Sequence, residues 1–308
     1  MRIGVGLPFK DQRGLPLDAA GLGQRARWIE EAGLDAAWMG DASFRRLATW
    51  PDPMMWLLTV GAATSRIEVG TAIYQVPLRH PVDLSQQFLT MRALLGGRIS
   101  LGVGPGSTAA GYAAVGMDFE NRFKTFHANM GTIRRLMAGE TVGAANLAPW
   151  PSVAGGPRFL LGAWHGGASL ARAARDYDGW LCSAGRTTVG TIVEGVKRYR
   201  DLGGTRAIVA TCPVDLTAPD IPLPDDEPFT LRCGPAQAAE RLGWLASLGF
   251  DDVMLNLREP GAAGPFESDI TLEQLRQIRG LLPADTRPPV TGQAPASQAP
   301  AGSVAGAA

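Results

Sequence analysis

Between Arg2 and Leu282, apolar runs of strand length alternate with amphipathic stretches of helix length. That alternation predicts parallel βα units. RIGVGLPF (Arg2 to Phe9) comes first, followed by a helix whose Leu22, Ala26, Ile29 and Gly33 keep the spacing of one buried face. AAWMGD (Ala36 to Asp41) precedes a helix beginning at Pro53, and IEVGTAIYQV (Ile67 to Val76) precedes one beginning at Pro81. Both prolines suit a first helical turn, where the missing N–H would have no helical partner. RISLGVG (Arg98 to Gly104) leads through a glycine-rich loop to a helix around Arg122 to Ala138, and RFLLGA (Arg158 to Ala163) meets a helix opened by Gly166 and Gly167. GWLCS (Gly179 to Ser183) pairs with Val189 to Leu202, AIVATCPV (Ala207 to Val214) with Pro235 to Leu248, and DVMLNL (Asp252 to Leu257) with Leu272 to Leu282. Eight such units predict a single (β/α)8 TIM barrel in preference to an open doubly wound sheet.

The pattern stops near the C-terminus. Residues 284–308 are Pro, Ala, Gly, Ser, Thr, Val and Gln with only Asp285 and Arg287 charged, so residues 1–283 are expected to fold and the rest to form a disordered tail. The 308 residues carry 29 Lys plus Arg against 29 Asp plus Glu, which supplies no basic field for nucleic acid. No apolar run reaches the ~18 to 20 residues of a membrane helix, and Lys10 and Asp11 come too early for a signal peptide. A cytoplasmic protein without membrane attachment is expected. Cys182, Cys212 and Cys233 are widely spaced, which argues against a disulfide framework and a metal site.

In a barrel of this kind, ligands bind at the C-terminal ends of the strands. Four strand ends carry informative chemistry: Gly40-Asp41, Thr71-Ala72-Ile73 with His80-Pro81, GVGPGS (Gly102 to Ser107) and WHGGAS (Trp164 to Ser169). GVGPGS lacks the later glycine and spaced acidic residue of a dinucleotide fingerprint, so it is either a glycine turn or a place of close backbone approach. WHGGAS is either an ordinary turn or a phosphate site, with backbone amides at a helix N-terminus and the Ser169 hydroxyl as donors.

The longer stretch SRIEVGTAIYQVPLRHPVDLSQQFLTMRALLGGRISLGVGPGS, Ser65 to Ser107, resembles the bacterial luciferase-like family of flavin and deazaflavin enzymes. WIEEAGLDAAWMGD, GMDFENRFKTF, ARAARDYDGWL and GPAQAAERLGWLASLGFDDVMLNL extend the resemblance over the folded body. It implies a TIM barrel with a flavin-type ring at the C-terminal face. Ala72 and Ile73 match the family's bulge, commonly a cis non-prolyl peptide, against one face of the ring. Gly104, Pro105 and Gly106 match the turn beside the ring, and Gly166, Gly167 and Ser169 the loop that takes the cofactor phosphate. His80 matches the family's His-Pro, read here as a histidine hydrogen-bonded beneath the site.

The chain also departs from the family pattern. Where many members place a His after the acidic residue of the second strand, Asp41 is followed by Ala42; Ser107 stands at a Glu position and Arg46 near a Trp position of the deazaflavin alcohol and sugar-phosphate dehydrogenases. The catalytic candidates are therefore His165, at a strand end, and Asp41, with His127 read as structural. Arg45, Arg46, Trp50 and Trp164 are expected in the substrate-pocket wall. The reading is an FMN-dependent monooxygenase using oxygen on a small organic substrate, supplied by a separate flavin reductase. The alternatives are hydride transfer with the 5-deazaflavin coenzyme F-420, and a non-catalytic flavin-binding protein. Homo-oligomerisation is left open.

Overall fold

The structure, a computed structural model, describes residues 1–42, 50–147, 151–164, 166–257 and 269–282. Nine strands are found among them: β1 (Arg2–Gly6), β2 (Ala36–Met39), β3 (Glu68–Gln75), β4 (Ile99–Gly104), β5 (Arg158–Gly162), β6 (Gly179–Ser183), β7 (Ala207–Asp215), β8 (Leu231–Arg232) and β9 (Asp252–Leu257). The helices are α1 (Ala19–Glu31), α2 (Pro53–Ala62), α3 (Pro81–Leu95), α4 (Ala109–Ala114), α5 (Arg122–Met137), α6 (Gly167–Asp176), α7 (Val189–Asp201), α8 (Pro235–Ser247) and α9 (Leu272–Arg279).

Strands β1 to β7 pair in sequence order, and β9 lies between β7 and β1, closing an eight-stranded parallel barrel. This is the (β/α)8 barrel expected from the pattern. β8 and α4 were not expected; β8 is a two-residue strand that pairs with the end of β7, and α4 is a six-residue helix in the loop after β4. Both prolines occupy the helix starts predicted for them, Pro53 behind an Asp52 cap that accepts from the Met54 and Met55 amides. The α1 face expected to be buried is so at Leu22, Ala26 and Ile29, while Gly33 lies beyond the helix in a left-handed turn (φ 81°). All three cysteines are buried and unbridged, and burial pushes the Cys182 thiol up to about 12, so it is no thiolate nucleophile at neutral pH. No helix among the described residues is long and apolar enough to cross a membrane. Residues 284–308, the expected tail, lie outside the described residues.

Side-chain alternation sorts the barrel interior into layers. At the N-terminal end, Arg2 pairs with Glu68 at 2.7 Å and Asp252 at 3.1 Å, while Arg206 reaches the same two carboxylates at 2.9 Å each. Arg158 joins at 3.8 Å from Glu68 and donates to the Ser100 hydroxyl. Burial opposes ionisation of Glu68, but the Arg206 and Arg2 guanidiniums outweigh it and hold the carboxyl well below its usual range. Above this layer lies Trp38. A Cβ at Gly4 or at Gly70 would come within 2.3 Å of the indole, so these glycines are what admit the ring to the axis.

Candidate active site

Two residues further along each strand, the interior changes character. By the same alternation the uppermost inward positions are Gly6, Gly40, Ala72, Gly104, Gly162, Ser183, Ala210 and Asn256, with Thr211 beside Ala210 on an irregularity of β7. These side chains are small, and Ala72, Gly162 and Ser183 among them are partly exposed; this C-terminal end is the mouth of the barrel.

One wall comes from β3, β4 and β5. The Ala72-Ile73 peptide is cis, and the β3–β4 register shifts between Thr71 and Tyr74, so both residues are carried on a bulge and remain partly exposed. Ile73 lies across its neighbours: a Cβ at Gly104 would stand 2.5 Å from Ile73 Cδ1, and one at Gly162 2.6 Å from its Cγ2. At Gly106 (φ 79°) a Cβ would meet Gln75 Oε1 at 2.1 Å. The space beside Gly104 and Gly106, expected to admit a flat cofactor, is filled by these two β3 side chains. The glycines fit the bulge, and the bulge presents the surface. Pro105 accepts a hydrogen bond from the Tyr112 hydroxyl, which ties the turn to α4.

Asp41 anchors this wall. Its carboxylate accepts from Arg79 Nη1 at 2.6 Å and from the Gln75 amide at 3.0 Å, its carbonyl accepts from Gln75 Nε2 at 2.7 Å, and its own amide donates to the Ile73 carbonyl at 3.1 Å. With a side chain wholly shielded from solvent, Asp41 is a clamp on the bulge, and the Arg79 guanidinium also covers the Tyr74 ring at 4.2 Å. Ala42 beside it is buried. Trp50 closes the rim, its indole N–H donating to the Gly40 carbonyl at 2.8 Å and its ring packing on Phe9 with centroids 5.1 Å apart.

The opposite wall comes from β6, β7 and β9. Ser183 Oγ and Thr211 Oγ1 are 3.0 Å apart. Ala210 and Thr211 together face the single residue Met254 across a β7 irregularity, and Thr211 has φ 57°, a left-handed conformation that β-branched residues rarely adopt. Above the rim, Arg186 donates to Ser107 Oγ at 3.1 Å.

Helix α6 begins beside this mouth without a side-chain cap; a Cβ at Gly166 or at Gly167 (φ 72°) would meet nothing within 4 Å, and Ser169 is half-buried in the first turn. The first turn of α6 therefore carries no side-chain cap and no atom crowds the Cα of either glycine. Trp164, at the end of β5, is 66% exposed and stands on the rim instead of forming a closed pocket wall. His80, expected to be hydrogen-bonded beneath the site, is exposed at the N-cap of α3 and makes no side-chain capping bond. His127 on α5 contacts Arg172 of α6, and burial together with that guanidinium lowers its pKa. His165, Arg45 and Arg46 lie outside the described residues.

Arg79, Gln75, Ser183, Thr211 and Asn256 were not foreseen. The last three had a legible signal, a lone polar residue near the C-terminal end of an apolar strand run.

The bulge, the glycine turn, the helix start and Asp41 all lie within residues 1–213, which match the luciferase-like monooxygenase family. The chain belongs to this family. It is 28% identical over 115 residues to 4-hydroxyprotoasukamycin monooxygenase of Streptomyces nodosus subsp. asukaensis, covering 37% of this chain and 31% of that protein. It is 32% identical over 180 residues to an F420-dependent glucose-6-phosphate dehydrogenase of Nocardia farcinica, covering 51% of each. The matches thus span about a third to a half of these relatives' lengths. Monooxygenase RslO1 from Streptomyces bottropensis has the same fold, with a TM-score of 0.71 at 17% identity over 92% of this chain and 98% of that one. So does the oxygenating constituent of 3,6-diketocamphane monooxygenase from Pseudomonas putida, solved with FMN, with a TM-score of 0.65 at 13% identity over 83% and 91%.

Proposed function

We propose that the barrel mouth holds FMN and that the protein is a monooxygenase acting on a small organic substrate. The observation that carries this reading is the β3–β5 wall, a half-exposed Ala72-Ile73 surface bedded on Gly104 and Gly162 and clamped from behind by Asp41. A flat ring fits such a surface, and the open amides of Gly167 to Ser169 fit a phosphate at a helix N-terminus. Reduced FMN supplies the electrons for oxygen chemistry when bound. The chain's share is to bind and orient: Ala72 and Ile73 against the ring face, the α6 amides on the phosphate, and Phe9 and Trp50 shielding the rim from water. Asp41 is committed to Arg79 and Gln75, so its part is positioning the bulge. A separate flavin reductase would provide the reduced cofactor.

A second reading, hydride transfer with F420, is supported by the 32% identity to a dehydrogenase that depends on that coenzyme. Titration of the purified protein with FMN and with F420, followed by ring fluorescence, separates the two. Tighter FMN binding, with substrate-dependent oxygen uptake from the reduced complex, is the expected result. Tighter F420 binding, with hydride passed from its reduced form to an organic acceptor without oxygen uptake, would replace the first reading by the second. Binding of neither would overturn both.

A further inference from the structure

The rim above β4, β5 and β6 carries a charge that the Ala72-Ile73 surface does not use. β6 ends at Ser183, and the next residues, Ala184–Arg186, form a one-turn 3-10 helix before α7. This turn is fastened from both sides. The Thr187 hydroxyl donates to the Ser183 carbonyl at 2.6 Å, Thr188 caps α7 by accepting from the Thr191 amide, and Ala184 is wholly buried beneath. Arg186 is exposed, and its guanidinium reaches Ser107, likewise exposed, 79 positions earlier in the chain and just beyond the end of β4. Because β5 pairs with β4 on one side and β6 on the other, this bond spans the end of β5, the strand that leads into α6.

The bond leaves most of the hydrogen-bonding capacity of both side chains unspent. A guanidinium has five N–H groups. The Ser107 hydroxyl accepts from one of them and keeps its own hydrogen. No carboxylate pairs with Arg186 among the described residues, whereas Arg79 of the bulge wall is matched by Asp41 and Asp52. Arg186 thus stands in the open on a fixed turn, already aimed across the strand ends by a neutral partner. Its full charge and planar fork are free to meet an anion, and both suit the bidentate geometry of phosphate oxygens.

We infer that Arg186, with the Ser107 hydroxyl beside it, is an anion-binding site on the rim of the mouth that takes a phosphate monoester. The guanidinium donates to two phosphate oxygens, and the Ser107 hydroxyl donates to the third. Both groups are exposed, so the ligand reaches them from solvent without any part of the barrel opening. The phosphate belongs either to the cofactor or to the substrate; the two bring the same dianion to the same rim, and the experiment separates them. The inference rests on the mouth being the active site and deepens that reading. A carboxylate in place of Ser107 would engage the guanidinium itself, which removes the site without altering Arg186.

The test titrates the full chain with inorganic phosphate, FMN and riboflavin at constant ionic strength, reading phosphate by phosphorus NMR and the flavins by fluorescence. Inorganic phosphate is expected to bind the wild-type protein. Arg186→Met should weaken it about ten-fold, as loss of a charged hydrogen-bonding partner predicts, and Ser107→Glu should do the same. If Arg186→Met lowers FMN affinity by a similar factor and leaves riboflavin within about two-fold, the site holds the cofactor phosphate. If FMN affinity is unchanged, and the FMN-loaded wild type binds inorganic phosphate while the loaded variant does not, the site holds a substrate phosphate. Phosphate affinity within about two-fold of wild type in a variant with an unchanged circular dichroism spectrum would overturn the inference. So would equal losses of FMN and riboflavin, or no phosphate binding by the wild type together with unchanged FMN affinity in Arg186→Met. Should one variant fail to fold, the other decides. A wild-type protein that binds neither flavin refutes the mouth as a flavin site, while phosphate titration of the flavin-free protein still judges Arg186.

Discussion

At the N-terminal end of the barrel interior, Arg2, Glu68, Arg158, Arg206 and Asp252 fill the axis with ionised side chains that hold one another at 2.7 to 3.8 Å. At the C-terminal end the corresponding positions carry glycine, alanine, serine, threonine and asparagine, and the axis stays open. The same eight strands supply both. Long charged side chains suit the closed end because each can reach across the axis to a partner, and leaving one unpaired in low dielectric is expensive. Small residues suit the open end because a bulge, a backbone amide or a ligand must come close to the strand. On the proposed function, stability is concentrated at one end and recognition at the other, and the two should respond separately to substitution.

The largest expected effect is at the closed end. Arg206→Ala leaves Glu68 and Asp252 each with one fewer guanidinium and should cost about 3–5 kcal/mol in urea unfolding. Cofactor affinity of the folded fraction should stay within about two-fold. Equal losses in both measurements would break the comparison.

A pH series sharpens the same point. Glu68 has a folded-state pKa below its unfolded value, so its contribution is present above the ordinary carboxylate range and is lost as the pH falls through that range and below. The wild-type urea midpoint should therefore drop on acidification, and Glu68→Gln, less stable at neutral pH, should show a shallower drop. Parallel curves would remove Glu68 from the account.

At the mouth, Gly104→Val places a Cβ 2.5 Å from Ile73 Cδ1, and the β3 bulge must shift. A stability cost of about 1–3 kcal/mol is expected, with cofactor affinity reduced at least ten-fold; full affinity in this variant would show that Ile73 does not face the ring. The Cβ of Gly167→Val meets nothing within 4 Å and the backbone is left-handed at φ 72°, so the stability cost should be about 1–2 kcal/mol. Its affinity for FMN should fall strongly, and unchanged fluorescence titration would move the phosphate elsewhere. Trp164→Ala, at a residue 66% exposed, should leave the unfolding midpoint within about 0.5 kcal/mol of wild type.

Much of this molecule is written in local pattern. The alternation of strand-length and helix-length runs specifies eight βα units, the prolines at 53 and 81 mark helix starts, and the segment from Ser65 to Ser107 carries the family resemblance. These are legible because periodicity and turn chemistry depend on neighbours a few residues apart. What the alternation does not state is who meets whom across the axis. Arg206 reaches Glu68 from 138 residues away, Arg79 reaches Asp41 from 38, and Ser183 meets Thr211 across 28. The role of Gly104 depended on Ile73 being carried over it by a bulge, and Asp41 became a clamp once Arg79 stood beside it. Strand register and bulges decide those encounters, because a one-residue slip turns an inward side chain outward. Closure of the barrel then converts a periodic chain into one sealed end and one open one.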